Sequence, residues 1–126
     1  MLDTSVFIAR EQGRPLGEHP TEVAVSVVTI SELRYSVLAA EDHAQRATRL
    51  TTLEAARRIG TPLPIDEPVA DELARLCVAL RAAGRTMNGM DAWIAATAMR
   101  HKVAVCTQDA DFDAAHGAGL IEVARV

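Results

Sequence analysis

"DAWIAATAMRHKVAVCTQDADF", residues 91–112, reads as a helix, then a short strand, then a loop with two acids. Asn88 is a plausible cap for the helix, which runs through "NGMDAWIAATAMRHK". "VAVCT" (103–107) is short, apolar and rich in valine, as a buried parallel strand is. Asp109 and Asp111 follow it directly, in "QDADFDAAHG", a loop or turn of helix.

Outward from this stretch the same alternation recurs. Downstream, "LIEV" (120–123) reads as a final strand. Upstream, "EPVADELARLCVALRAAG" places Val69, Leu73, Leu76, Cys77 and Leu80 on one helical stripe, with Gly84 as a stop. "TPLPID" is a brief extended segment, and residues 43 to about 59 form an arginine-rich helix closed by Gly60 and Pro62. "SELRYSVLAA" is helical, and "EVAVSVVT" (22–29) reads as a second strand. "EQGRPLGEHP" (11–20) is a loop, and Ser5 to about Arg10 a short helix or turn. Leu2–Asp3 then closes a first strand. Strands alternating with helices predict an α/β/α sandwich whose central, mostly parallel sheet is flanked by helices.

The chain has 126 residues, enough for one core and too few for two ordinary domains, so one domain over 1–126 is expected. Apolar residues at 49% and charged residues at 24% suit a soluble globular protein. No run approaches the roughly 18 apolar residues of a membrane span, and no secretory signal is visible. Cys77 and Cys106 stand alone, without metal-ligand spacing, and read as two buried reduced thiols of a cytoplasmic protein. The net charge of −4 argues against grip on nucleic acid by bulk electrostatics, but leaves room for a nuclease whose acids hold cations. Arg46, Arg49, Arg57 and Arg58 crowd one helix, a solvated face or a grip on RNA.

The acids are placed more tellingly. Ligands of open α/β sheets bind beyond the carboxyl ends of the strands. Asp3 ends strand one, Glu32 follows strand two, Asp109 and Asp111 follow "VAVCT", and Asp91 opens a helix that faces the same crevice. Each has a structural alternative: Thr29-x-x-Glu32 and Asn88-x-x-Asp91 fit capping boxes, and Asp109 and Asp111 suit a turn. Asp3 has the weakest one, because it follows no loop sequence and caps no long helix. Two carboxylates ~5 Å apart at an effective dielectric of ~20 repel by roughly 3 kcal/mol. A divalent cation relieves that repulsion, and oxygen-only ligands select Mg²⁺ or Mn²⁺ over zinc.

The succession "LDTSVFIA", "VVTISELRYSVL", "DAWIAATAMRHKVAVCTQDADF" resembles the PIN-domain ribonucleases, and among them the VapC toxins of bacterial VapBC toxin–antitoxin modules. The resemblance runs from residue 2 to about residue 123. It implies a Mg²⁺- or Mn²⁺-dependent endoribonuclease that cuts tRNA or ribosomal RNA and so inhibits translation. Its four acids fall on Asp3, Glu32, Asp91 and Asp109, with Asp111 in reserve, and Asp3, Asp91 and Asp109 as metal ligands. Ser5 and Thr107 become supporting hydroxyls, Thr4 a neighbouring one, and Phe112 the aromatic closing the acidic loop. A homodimer and a VapB-type antitoxin are the implied partners, the latter fitting an apolar groove near "SELRYSVLAA".

Two departures stand out. Ser36 or Val37 replaces a frequent glycine, and only Met1 and Leu2 precede Asp3, so strand one reads as clipped, either naturally or because the true start lies upstream, in which case Asp3 is expected to be loosely held. Trp93 and Tyr35, beside apolar residues on helices, are expected in the core rather than stacked on bases. A non-catalytic PIN-like binding module is the main competitor. A phosphatase or receiver is weaker, because Ser5 stands where a phosphatase needs a second Asp, and Lys102 precedes its strand.

Overall fold

The computed structural model describes residues 1–18 and 20–126; His19, inside the loop read at 11–20, lies outside them. Six α-helices lie among the described residues: α1 Thr4–Glu11, α2 Val27–Leu38, α3 His43–Arg57, α4 Glu67–Ala82, α5 Gly89–His101 and α6 Asp113–Gly117. Two strands, β1 Val105–Thr107 and β2 Val123–Arg125, pair in parallel with Cys106 opposite Ala124. None of the described helices is long and apolar enough to cross a membrane.

Single bridges extend this ladder. Leu2 pairs in parallel with Cys106, and Ser26 with Leu63. The N–H of Cys106 donates to Met1 O (2.8 Å) and that of Asp3 to Cys106 O (2.9 Å). Leu2 N–H donates to Ala24 O (2.8 Å), and Leu63 N–H to Val25 O (2.8 Å). The order across the sheet is therefore Leu63, Ala24–Ser26, Met1–Asp3, β1, β2. Numbered along the chain this is 3-2-1-4-5, and its direction of winding switches between the first segment and β1. Such a switch opens a crevice at the carboxyl ends of the strands, where Asp3 and Thr107 lie.

Successive strand residues point to opposite faces. Met1 and Val105 accordingly enter one core with Leu76, Leu80, Ile94 and Phe112, under α4 and α5. Leu2 and Cys106 enter the other with Phe7, Val25, Leu33 and Leu53, under α1, α2 and α3. Two apolar layers on one parallel ladder make the predicted sandwich.

The structure corrects several local expectations. The strand read at 22–29 ends at Ser26, because the Ser26 hydroxyl accepts the N–H of Thr29 (3.1 Å) and starts α2 at Val27. Val27, Val28 and Thr29 are β-branched, which disguises a helical turn as strand. Ser26 is fully buried, so Ser26→Ala is expected to lower stability by about 1–2 kcal/mol, read from the urea midpoint. "VAVCT" contributes only its last three residues, since Val103 N–H closes α5 by donating to Ala98 O (3.1 Å). The final strand lies at 123–125 rather than 120–123. Cys77 is exposed, off the buried stripe formed by Val69, Leu76 and Leu80; Cys106 is buried as expected. Tyr35 is 73% exposed and does not enter the core; Trp93 is half-buried.

Candidate active site

Asp3 is 4% exposed and caps α1. Its Oδ2 accepts from Ser5 Oγ (2.7 Å), Thr107 Oγ1 (2.9 Å) and, more weakly, Ser5 N–H (3.3 Å). Ser5 Oγ and Thr107 Oγ1 also lie 3.0 Å apart, but each hydroxyl has one proton and gives it to Asp3. Their lone pairs are used as well: Gln108 N–H donates to Ser5 Oγ (3.0 Å) and Asp109 N–H to Thr107 Oγ1 (3.1 Å). A loosely held Asp3 is not what the structure shows. The carboxylate is fixed by hydroxyls from both sides of the switch, and the same hydroxyls fix the start of the acidic loop.

Glu32 lies in the second turn of α2, not its first, because the helix begins at Val27. The cap is Ser26, so the Thr29-x-x-Glu32 capping box does not form. The Glu32 carboxylate instead accepts a short hydrogen bond from Thr4 Oγ1. Burial raises the Glu32 pKa, the Thr4 bond pulls it back, and the charge of Asp3 pushes it up again.

Asp91 stands in the first turn of α5, whose cap is Asn88 Oδ1, accepting from Met90 N–H (3.1 Å). Its pKa is raised from an ordinary 3.8 to about 6, first by burial and then by the charges of Asp111, Asp3, Glu32 and Asp109 in that order. All five acids thus act on one place. Asp109 caps a 3₁₀ turn, Ala110–Phe112, with Asp111 inside it; both are exposed, and Asp111 acts on Asp91 more strongly than Asp109 does.

Ion pairs among the described residues join Arg57 to Glu54, Arg75 to Glu72 and Arg125 to Asp113, and leave all five acids without a basic partner. No three of the described His, Cys, Asp and Glu side chains form a ready-made metal cluster. The donor set still fits a hard divalent cation: it is oxygen-only, crowded with uncompensated charge, and includes the exposed acids Asp109 and Asp111. One consequence concerns stability. An acid whose folded pKa is raised stabilises the fold fully below its unfolded pKa, and that contribution is lost as pH rises through the folded value. The metal-free protein is therefore expected to weaken between about pH 4 and pH 6. Asp91→Asn should remove that loss and gain about 1 kcal/mol at pH 7, after discounting for solvent screening, measured by urea unfolding in EDTA.

The arginines of α3 divide. Arg49 Nη1 donates to Ser36 O (2.7 Å) and Arg46 Nη2 to Ala40 O (3.4 Å), so both brace the C-terminal end of α2. Arg57 pairs with Glu54 (3.2 Å). Arg58 lines a groove between α1 and α3 that also contains Arg10. The sequence reading missed Thr4 as the partner of Glu32, and missed Gln108. The Gln108 side chain donates to Pro15 O and Val126 O, both at 3.0 Å, tying two distant segments to the acidic loop. The adjacent hydroxyls of "DTS" were a signal for the first; nothing local signals the second.

The PIN domain family model matches residues 1–117. Ribonuclease VapC5 of Mycobacterium tuberculosis is 48% identical, over 100% of this chain and 94% of that protein. Ribonuclease VapC4 of the same organism is 46% identical, over 90% of this chain and 88% of its own length. The crystal structure of VapBC-5 from M. tuberculosis, a member of the VapBC family of toxin-antitoxin systems, superposes with a TM-score of 0.86 at 45% identity. It covers 99% of this chain and 96% of the matched one.

Proposed function

The chain belongs to the PIN domain family, and on that premise we propose that it is a metal-dependent endoribonuclease, the toxin of a VapBC-type toxin–antitoxin pair. The supporting observation is the convergence on Asp91 of charge from Asp3, Glu32, Asp109 and Asp111, with no basic side chain among the described residues paired to any of them. Such an arrangement is costly for a fold and useful for holding cations at a phosphodiester.

In this reading Asp3, Asp91 and Asp109 hold Mg²⁺ or Mn²⁺, with Asp111 in reserve. A bound divalent ion supplies Lewis-acid activation and charge relief at the scissile phosphate. Glu32, its pKa raised, takes the proton of the attacking water, while Thr4 Oγ1 orients its carboxylate. Ser5 and Thr107 hold Asp3 in one orientation, so little has to rearrange during the reaction. RNA grip falls to Arg10 and Arg58 rather than to Arg46 and Arg49, which brace α2. The substrate is tRNA or ribosomal RNA, whose cleavage stops translation in the cytoplasm. The 1–126 chain acts as one domain, assembled as a homodimer and silenced by a VapB-type antitoxin. The antitoxin reading is supported by the likeness to the chain in the VapBC-5 structure.

The test is incubation of total bacterial RNA with the purified chain in Mg²⁺ or Mn²⁺ against EDTA. Discrete fragments that require the metal are expected. No fragments from the folded protein in either metal would leave the non-catalytic binding module as the better reading.

A further inference from the structure

Tyr35 is the one tyrosine of the chain, and the structure places it 73% exposed. It lies three residues beyond Glu32 on α2, hence on the same helical face. Met90, 38% exposed, directly precedes Asp91 on α5. Ser31, Glu32, Tyr35 and Met90 together line one hollow of about 310 Å³. Its lining thus joins one residue of the acid cluster, Glu32, to an aromatic, a methionine and a serine.

We infer that this hollow is a nucleobase subsite, in which the base next to the scissile phosphate stacks on Tyr35 with Met90 against its edge. The inference rests on the ribonuclease reading above. An unpaired base is flat, has two π faces and stacks on exposed aromatic rings whatever its sequence. Its own phosphate is drawn to the neighbouring acids only when they carry a cation, so the base and the phosphate occupy adjoining places. Ser31 Oγ, a donor and acceptor, suits the polar edge of a base. A VapB-type antitoxin seated near "SELRYSVLAA" would cover the same hollow, so base and antitoxin would exclude each other there.

Initial rates of RNA cleavage in Mg²⁺ should be compared for the wild type, Tyr35→Ala and Tyr35→Phe. Loss of the ring is expected to raise KM about tenfold with kcat little changed, whereas Tyr35→Phe keeps the ring and stays near wild type. In parallel, a short oligoribonucleotide carrying 2-aminopurine should be titrated in Ca²⁺. Its fluorescence should be quenched by the wild type and Tyr35→Phe, and not by Tyr35→Ala. Unchanged KM and unchanged quenching in Tyr35→Ala would overturn the proposal. So would an alanine variant that keeps its KM but elutes as a different oligomer, which would assign Tyr35 to a protein interface. Failure of the wild type to cleave any RNA would sink the ribonuclease reading instead, leaving the quenching to decide the stacking by itself.

Discussion

Asp3→Asn is expected to reduce RNA cleavage about a thousandfold in kcat while leaving the fold in place. The asparagine side chain retains an acceptor for Ser5 Oγ and Thr107 Oγ1, which lie 2.7 and 2.9 Å from the native carboxylate. It also remains a good cap for α1. What disappears is the charge, at the one acid that is buried and fixed by hydroxyls from both sides of the switch. Losing a fixed electrostatic contact to a transition state costs on the order of 10²–10³ in rate, and losing a metal ligand costs metal occupancy as well. The measurements are single-turnover cleavage at several Mg²⁺ concentrations and urea unfolding of the same preparation. Normal cleavage by a normally folded variant would remove Asp3 from the site. A collapse of stability alongside activity would instead make it a structural carboxylate.

Phe112→Ala is expected to cost about 3–5 kcal/mol of stability, the range for deleting a fully buried phenyl ring. Phe112 has no exposed surface and is the largest of the fully buried side chains, set in the core with Leu76, Ile94 and Val105. Proteins of this size are stable by about 5–15 kcal/mol, so the loss is a large share of the total. It also closes the 3₁₀ turn that carries Asp111 and is capped by Asp109. A displacement of about 1 Å there suffices for a hundredfold loss of activity. The urea midpoint and the cleavage rate, measured below the unfolding transition, separate the two effects. A stability loss under about 1 kcal/mol would mean the ring is not the anchor that its burial indicates.

The parts of this molecule most legible in its sequence are those where one residue type has one physical use. A charged residue among apolar ones at a strand end, as at Asp3, has few reasons to exist, and an apolar helix followed by a valine-rich strand and two acids marks a strand end. Legibility failed where one residue type serves two structures. Val27, Val28 and Thr29 favour a strand, but one hydroxyl at Ser26 makes them a helix and moves Glu32 by a turn. Tyr35 beside apolar neighbours resembles a core residue until the face of α2 is known. Arg46 and Arg49 look like phosphate ligands until Ser36 and Ala40 present carbonyls to them. Cys77 fits an apolar stripe by spacing and misses it by one residue of rotation. Contacts between segments a hundred residues apart, such as Gln108 N–H to Ser5 Oγ, leave no local mark.

Those same distant contacts govern when Asp3 becomes fixed. Met1–Asp3 sit in the middle of the sheet, yet their partners on one side are Cys106 and Thr107, which are synthesised about a hundred residues later. A nascent chain carries Asp3 and Glu32 long before Thr107 joins Ser5 in holding the first of them. Such high contact order slows folding, and here it also delays activity. On the proposed ribonuclease reading, a half-made copy would lack the fixed carboxylate that the site needs.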